Sequence, residues 1–224
     1  MKKIVVLSGA GISAESGIQT FRDADGLWEG HDVMAVASPE GWADNPELVL
    51  DFYNQRRRQL FEVCPNSAHE AIAELQDNYQ VTVITQNVDD LHERAGSEYV
   101  IHLHGELKSV RSDQNPDMNY YCEDDVHLGD VADDGAQLRP DIVWFGEDVP
   151  QMPEAIAHVS QADIVIIIGT SLQIYPAAGL YHYASNEAEI YYIDPKADAQ
   201  HLPSRVVCIN ETATKGMETL IDKL

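Results

Sequence analysis

A glycine-rich segment that directly follows a short apolar run is the feature that most constrains the fold of this chain. The apolar residues IVVL at 4–7 lead into GAGISAESG at 9–17. Such a run favours a buried strand, and glycines after it favour a tight turn into a helix. Gly9 permits the turn, Gly11 lets the backbone approach a pyrophosphate, and Ala14 lets the helix pack closely on its strand. The pattern predicts a phosphate loop with the helix's first amides facing the phosphates, and its alternative is an ordinary strand-to-helix turn.

Further apolar runs recur between segments with a helical pattern. This alternation predicts an α/β fold, a Rossmann-like parallel sheet with helices on both faces. Three helices are expected: one from Asn45-Pro46 to Leu60, one at Ser67 and one at Pro153. The predicted strands lie at 4–7, 81–85, 100–104, 142–145, 163–170 and 190–193.

Two stretches interrupt the alternation and predict a small inserted lobe. Residues 25–66 have a helical pattern, and residues 109–137 are acidic and irregular. The large lobe of this single domain then comprises approximately residues 1–24, 67–108 and 138–224. Ligands of open α/β sheets bind beyond the carboxyl ends of the strands, so we expect the site in the cleft between the lobes.

The formal net charge of -24 excludes some partners. The chain has 14 lysines and arginines against 38 acidic residues, and its one basic cluster is Arg56-Arg57-Arg58. We therefore expect no nucleic-acid and no membrane partner. The acidity suits either a basic protein partner or a solubilising surface in a salt-adapted cell, and charge alone does not decide between them.

Three separated cysteines, Cys64, Cys122 and Cys208, predict neither a disulfide framework nor a four-cysteine zinc site. They suit a reducing cytoplasm. The sequence has no apolar run long enough to span a bilayer and no signal-peptide pattern. We expect a cytoplasmic protein whose oligomeric state the sequence does not fix and for which a monomer is compatible.

Polar residues follow the strand predicted at 81–85. Gln86, Asn87 and Asp89 would lie at its carboxyl end, where a polar ligand binds. A carboxamide both donates and accepts hydrogen bonds, so these side chains suit another carboxamide. The alternative is a turn with a helix cap.

Two histidines end the next predicted strand. Period-two alternation places His102 and His104 on one face, where a histidine can act as a general base near neutral pH. A metal site is one alternative, although the nearest further ligands, Cys122 and His127, lie in the irregular insertion. A buried core histidine is the other alternative, and it is stronger for His102.

Six motifs occur in the order and approximate spacing of the sirtuins, the NAD-dependent protein lysine deacylases. They are GAGIS, IQTFRD, TQNVD, HLHGEL, VWFGE and GTS. The resemblance spans nearly the whole chain. It implies that NAD is the co-substrate and that acyl-lysine proteins are the substrates. It also implies an alkylimidate that collapses to free lysine and O-acyl-ADP-ribose after nicotinamide leaves.

The resemblance also implies roles at matching positions. His104 matches the general base that helps the acyl-lysine carbonyl oxygen attack the anomeric carbon. Residues 143–147 resemble the segment that pairs with the substrate backbone and walls the lysine tunnel, here Val143, Trp144, Phe145 and Gly146. The positions that match NAD contacts are Gly9, Ala10, Gly11, Ile12, Ser13, Phe21, Arg22, Gln86, Asn87, Asp89, Gly169, Thr170, Ser171, Asp194 and Thr212.

Acyl specificity is suggested by Tyr53 and Arg56, which are three residues apart and share a helix face. They resemble the Tyr-x-x-Arg of sirtuins that prefer acidic acyl groups. Arg56 would bind a succinyl, malonyl or glutaryl carboxylate, and Tyr53 would add a hydroxyl donor. Acetyl-lysine would be a poorer substrate. The alternative is an exposed basic helix.

The sequence departs from the family pattern in two places. Most sirtuins carry two CxxC pairs between the HGEL and WFGE motifs, whereas this chain has Cys122 alone there. We therefore expect no structural zinc, with packing or hydrogen bonds holding the small lobe. Asp194 stands where the family usually has Asn. The family's last adenine-contact motif has no clear match, and Thr212 or Ala213 is the expected position. An NAD-consuming hydrolase or ADP-ribosyltransferase and a non-catalytic NAD sensor stay open as other functions.

Overall fold

The computed structural model describes residues 1–19, 27–198 and 202–224. Phe21 and Arg22, which match NAD contacts, lie outside the described residues. The strands are β1 (Lys3–Ser8), β2 (Leu27–Trp28), β3 (His31–Asp32), β4 (Gln80–Thr85), β5 (Val100–His102), β6 (Gly105–Ser112), β7 (Asn119–Tyr121), β8 (Leu138–Ile142), β9 (Ile164–Ile168), β10 (Glu189–Ile193) and β11 (Val206–Ile209). The α-helices are α1 (Val33–Val36), α2 (Pro39–Asp44), α3 (Pro46–Gln59), α4 (Ser67–Glu74), α5 (Leu91–Arg94), α6 (Met152–Ser160) and α7 (Ala213–Ile221).

A six-stranded parallel sheet in the order β11-β10-β9-β1-β4-β5 forms the centre of the fold. Strand β1 pairs with β4 on one side and with β9 on the other, so that Ile4 lies opposite both Val81 and Ile164. The chain first extends the sheet through β4 and β5 and later adds β9, β10 and β11 at the other side of β1. The strand order reverses there, and such a reversal opens a crevice at the carboxyl ends of the strands. The predicted Rossmann-like fold is confirmed.

Helices cover both faces of this sheet. On one face Val5 packs in a core with Val159 of α6, and on the other Ile4 packs with Ile72 of α4 and Met217 of α7. All five residues of β9 are buried. Strands buried on both faces have nearly continuous apolar sequences, which is why the sequence pattern located them.

A three-stranded antiparallel sheet, β7-β6-β8, lies apart from the parallel sheet. Two predicted strands have wrong bounds. The strand expected at 100–104 is β5 of the parallel sheet and ends at His102, and the one expected at 142–145 overlaps β8 of the antiparallel sheet, which ends at Ile142. A Cβ on Gly105, which has φ of +81°, would meet Asp141 O at 2.0 Å, so the chain turns at this glycine to lie against β8.

Two of the lobe boundaries predicted from the sequence lie at strands of this antiparallel sheet. The boundary predicted at 108 falls within β6, and β8 begins at the boundary predicted at 138. The stretch 109–137, expected to be irregular, contains the end of β6 and all of β7. Apolar patterns locate strands, but they do not reveal which sheet a strand joins.

The helix ends follow from local capping. Asn45 Oδ1 accepts a hydrogen bond from Leu48 N at 3.1 Å, and a proline occupies the first turn of α3, as predicted. Helix α4 starts at the expected position, but its cap is Asn66, which forms a capping box with His69. None of the described helices is long and apolar enough to cross a membrane.

Candidate active site

The loop after β1 packs directly against the loop after β9. Gly9 N donates to Ile168 O at 3.0 Å, and Gly11 N donates to Gly169 O at 2.7 Å. A Cβ on Gly11 would lie 2.7 Å from Gly169 Cα, and a Cβ on Gly169 would lie 2.2 Å from Ile12 N. Contact between the two loops therefore requires these glycines. The sequence analysis assigned Gly11 a different role, the close approach of a pyrophosphate to the backbone.

The segment after Gly9 does not form the predicted α-helix. It forms two 3-10 turns, Ala10–Ile12 and Ala14–Ser16, which are followed by Gly17 with φ of +99°. Hydrogen bonds from residue i to i+3 wind the chain more tightly than an α-helix. The loop thus presents its backbone to the crevice through tight turns.

Three polar side chains form a buried cluster at the end of β4. Ser13 Oγ donates to Asp89 Oδ2 at 2.9 Å, and Asn87 Nδ2 donates to Ser13 Oγ at 3.2 Å. Leu91 N donates to the other carboxylate oxygen of Asp89 at 3.1 Å. Burial raises the pKa of Asp89, and the hydrogen bonds from Leu91 and Ser13 oppose that shift. These hydrogen bonds hold the loop at 86–90 in place through the side chains of Asn87 and Asp89.

His104 lies in the turn that follows β5, and its Nδ1 is 3.1 Å from Gln86 O. A carbonyl oxygen only accepts hydrogen bonds, so we assign the proton to Nδ1 and a lone pair to Nε2. Burial lowers the pKa of His104, against the opposing effect of the Gln86 hydrogen bond. The imidazole is therefore neutral at pH 7 and can accept a proton at Nε2.

His102 differs from His104 in its surroundings. Its Nδ1 is 3.1 Å from Asn87 O, and its Nε2 is 2.7 Å from Glu93 Oε1. Of the two histidines, only His104 is among the residues that line the cleft described next. The predicted placement on one strand face is wrong, because the strand ends at His102 and His104 belongs to a turn.

A cleft of about 1050 Å³ opens at the carboxyl ends of the parallel strands. It brings together most of the residues that the sequence matched to NAD or substrate: Gly9, Ala10, Gly11, Gln86, Asn87, Asp89, His104, Val143, Trp144, Phe145, Gly146, Gly169, Thr170, Ser171, Asp194 and Thr212. Ile12 and Ser13 are fully buried, and Tyr53 and Arg56 are not lining residues. A cleft of this volume suits a ligand as large as a dinucleotide.

The cleft is also lined by two residues that the sequence did not predict, Glu15 and Tyr192. Tyr192 Oη donates to Thr170 O at 2.9 Å, which holds the loop after β9. Glu15 accepts hydrogen bonds from the backbone and hydroxyl of Thr214 at 3.0 and 2.9 Å, so it ties the glycine loop to α7. Alternation along β10 indicates the side to which Tyr192 points, whereas no sequence signal links Glu15 to a residue near the other end of the chain. Burial raises the pKa of Asp194 in this region.

An ion pair and a hydrogen bond hold the segment 143–147, which follows β8 of the antiparallel sheet. Arg139 Nη1 lies 2.8 Å from Glu147 Oε1, and its guanidinium lies 3.3 Å from the centre of the Trp144 ring. Glu147 Oε2 accepts from Trp144 N at 2.8 Å, and Gly146 turns the chain with φ of +91°. This arrangement presents the backbone beside the cleft although 143–145 is not a strand.

Tyr53 and Arg56 lie on α3, and neither side chain lines the cleft. Tyr53 is fully buried, and its hydroxyl accepts a hydrogen bond from Trp144 Nε1 at 3.0 Å. The Arg56 guanidinium lies 4.7 Å from the centre of the Phe52 ring. Nε and Nη1 of Arg56 are shielded from solvent and have no hydrogen-bond partner within the described residues. Burial lowers the pKa of Arg56, and Glu29 opposes this effect.

A buried arginine on the same helix holds the acidic part of the insertion. Arg57 Nε donates to Leu107 O at 2.7 Å, and its Nη1 donates to Asp124 O at 3.1 Å and to Asn54 Oδ1 at 2.9 Å. The Asn54 side chain exchanges two hydrogen bonds of 2.9 Å with the backbone of Val126. These bonds anchor the insertion that contains Cys122, whose Sγ donates to Asp124 O.

The crevice, the neutral histidine and the buried carboxylate define the class as a dinucleotide-dependent enzyme. Within that class, the model of the Sir2 family matches residues 9–176, and the chain belongs to this family.

An NAD-dependent protein deacylase of Helicobacter pylori (strain ATCC 700392 / 26695) is 68% identical over 224 residues, covering 100% of this chain and 98% of the relative. A second, from Bacteroides thetaiotaomicron, is 54% identical and covers 98% of this chain and 97% of its own length. A crystal structure of a Sir2 homologue with NAD superposes with a TM-score of 0.87 at 38% identity, covering 99% of this chain and 89% of that one. The chain is accordingly an NAD-dependent protein deacylase.

Proposed function

We propose that this enzyme removes succinyl, malonyl or glutaryl groups from protein lysines in preference to acetyl groups. The observation that carries the preference is the guanidinium of Arg56, whose Nε and Nη1 are buried without a partner in the described part of the chain. A buried N–H group without an acceptor costs free energy, and a carboxylate would recover it through charge-assisted hydrogen bonds.

The residues of the cleft fit NAD. The contact between the two glycine loops leaves no room for a side chain at Gly11 or Gly169, so only backbone borders the cleft there. These loops would hold the diphosphate, Gln86 and Asn87 the nicotinamide ribose, and Asp194 with Thr212 the adenosine end. Bound NAD would supply an activated ribose carbon, on which the acyl carbonyl oxygen would replace nicotinamide. Water would then release free lysine and leave O-acyl-ADP-ribose.

His104 would act as the general base. The hydrogen bond to Gln86 O leaves its Nε2 as the acceptor, and burial keeps the ring neutral at pH 7. General bases of this kind contribute roughly a hundred- to ten-thousand-fold to the rate. Asp89 and Asn87, held by Ser13, would place a negative charge and an amide dipole near the positive charge that develops on the ribose.

The acyl-lysine would enter beside the segment 143–146. The Arg139–Glu147 pair holds this segment, and Trp144 forms part of the cleft lining. Val143 N and Phe145 N already donate to His104 O and Ala37 O at 2.9 Å, so an extended substrate backbone would pair through carbonyl oxygens of this segment. This mode of binding tolerates varied side chains. The Trp144 ring, bonded to Tyr53, lies between the cleft and α3. Movement of the Trp144 ring would give an acyl carboxylate access to Tyr53 and Arg56 on α3.

The test uses two peptides of the same sequence, one succinylated and one acetylated on a single lysine, and mass spectrometry of all products. The wild-type protein should convert the succinyl peptide faster and form O-succinyl-ADP-ribose. Arg56→Met should lower kcat/KM for the succinyl peptide by about 10- to 100-fold, the equivalent of charge-assisted hydrogen bonds, and leave the acetyl reaction unchanged.

Arg58→Met is the matched control, because Arg58 is two positions away on the same helix and its side chain is 52% exposed. It should leave both reactions unchanged. Equal loss of both reactions in Arg56→Met, or no loss of desuccinylation, contradicts the acyl preference. ADP-ribose formed without acyl-lysine would instead support an NAD hydrolase. His104→Ala should lower deacylation by about a hundred- to ten-thousand-fold while the protein stays folded.

A further inference from the structure

A second cavity of about 300 Å³ lies on the other side of the loop at 86–90. Val88 and Asp89 line both this cavity and the large cleft, so the loop separates the two. Glu93 and Glu106 also line the second cavity, and His102 lies beside them. The mechanism proposed above does not use Glu93, His102 or Glu106.

The orientation of His102 is fixed from one side. Its Nδ1 must donate to Asn87 O at 3.1 Å, because a carbonyl oxygen only accepts. Nε2 therefore points at the two glutamates, 2.7 Å from Glu93 Oε1 and 3.9 Å from Glu106 Oε1. The His102 side chain is 8% exposed, whereas those of Glu93 and Glu106 are 40% and 54% exposed. A buried ring nitrogen thus faces two exposed carboxylates.

No lysine or arginine within the described chain forms an ion pair with Glu93 or Glu106. Lys108, the cation that lines this cavity, lies 3.0 Å from Asp90 Oδ2 and 3.0 Å from Glu123 Oε1. Either His102 must carry a second proton on Nε2 to face the carboxylates, or another cation must take the place of that proton. Imidazole with carboxylate oxygens is a ligand set typical of zinc.

We propose that Glu93, His102 and Glu106 form a binding site for Zn²⁺ on the side of the loop opposite the large cleft. The three ligand atoms lie within 4.8 Å of one another. Zinc bonds of about 2.1 Å separate neighbouring atoms of a tetrahedron by roughly 3.4 Å. The distances of 2.7 and 3.9 Å from His102 Nε2 lie on either side of that value, so small shifts of the two exposed glutamates complete the geometry.

A solvent water would fill the fourth position, as in zinc sites with three protein ligands. Binding replaces the proton on Nε2 and releases it to solvent, while Nδ1 keeps its hydrogen bond to Asn87 O. The ion would therefore stabilise the 86–90 loop through His102. Its ligands, one histidine and two carboxylates, differ from the cysteine pairs of the family pattern.

The test measures metal binding directly, with Zn²⁺ by equilibrium dialysis and with Co²⁺ by its visible absorption. Both are done on the full chain with its three cysteines replaced by serine, which removes soft ligands. We expect one ion per chain and a higher melting temperature when Zn²⁺ is present. Glu93→Gln and Glu106→Gln should each weaken binding at least tenfold.

Glu98→Gln is the control, because Glu98 is another exposed carboxylate outside the cluster, and it should leave binding unchanged. Thermal melts without metal show whether each variant is folded. Substoichiometric binding, cluster variants that bind Zn²⁺ as tightly as their parent, or no binding in the cysteine-free chain would overturn the proposal. None of these readouts depends on deacylation, so the site can fail while the proposed acyl preference stands.

Discussion

Replacement of Arg57 by methionine should destabilise the fold, although its neighbours in sequence suggest a solvated basic run. Arg57 is 1% exposed and donates three hydrogen bonds, to Leu107 O, Asp124 O and Asn54 Oδ1. Methionine keeps most of the apolar volume of the side chain but donates no hydrogen bond. Two backbone carbonyls and one amide oxygen would lose a buried donor.

The size of the effect follows from those acceptors. Leu107 O would be left unpaired, which costs about 1–3 kcal/mol, while Asn54 Oδ1 keeps its bond from Val126 N and Asp124 O its bond from Cys122 Sγ. These two acceptors would each lose one bond worth about 0.5–1.5 kcal/mol, and removing the buried charge recovers part of the total. We expect a net loss of about 3 kcal/mol in the free energy of unfolding. For a chain of this length that corresponds to a fall of about 6–12 °C in the melting temperature.

The assay is urea and thermal unfolding of the wild type, Arg57→Met and Arg58→Met. Arg58 pairs with Asp125 at the surface, and its replacement should cost less than about 1 kcal/mol. A loss in Arg57→Met no larger than that of Arg58→Met would refute the reasoning. It would mean that the acceptors of Arg57 find water or other donors.

Three further predictions concern protonation and backbone. Burial lowers the pKa of His69 to about 4, from an ordinary value of 6.5. The folded state therefore loses up to about 3 kcal/mol as pH falls from about 6.5 to 4, and urea unfolding of His69→Gln should show a flatter dependence on pH. Because His104 must be neutral and burial lowers its pKa, the acid limb of kcat/KM should lie below pH 6.5, which a pH–rate profile checks. Gly169→Ala places a Cβ 2.2 Å from backbone at φ of +64° and should cost at least about 2 kcal/mol more in thermal melts than Gly146→Ala, whose Cβ meets nothing within 4 Å.

The parallel sheet could be predicted because its strands are buried on both faces. The sequence places the apolar runs of β1, β4, β9 and β10 within one to two residues of their observed ends. The antiparallel sheet was harder, since β6 and β7 carry polar residues on an exposed face and Gly105 reverses the chain for a steric reason. A steric contact between segments distant in sequence leaves no periodic pattern.

The site was predictable where chemistry depends on residue type at a strand end, as with His104 and the polar residues after β4. It was not predictable where packing assigns different environments to identical residues. Arg56, Arg57 and Arg58 are consecutive, yet one has unpaired buried nitrogens, one bonds to backbone carbonyls and one lies at the surface. Helical geometry separates them by about 100° each, but only the neighbouring elements decide what each direction meets.

The strand order of the parallel sheet also bears on how the chain folds during synthesis. The central strand β1 needs both β4 and β9 as neighbours, and Ile4 pairs with Ile164. A ribosome therefore exposes β1 with one edge unpaired until most of the chain has emerged. Folding of this kind depends on contacts between distant residues, which makes it slow and leaves intermediates open to aggregation. Until β9 arrives, that open edge exposes unpaired backbone groups that can pair with another chain.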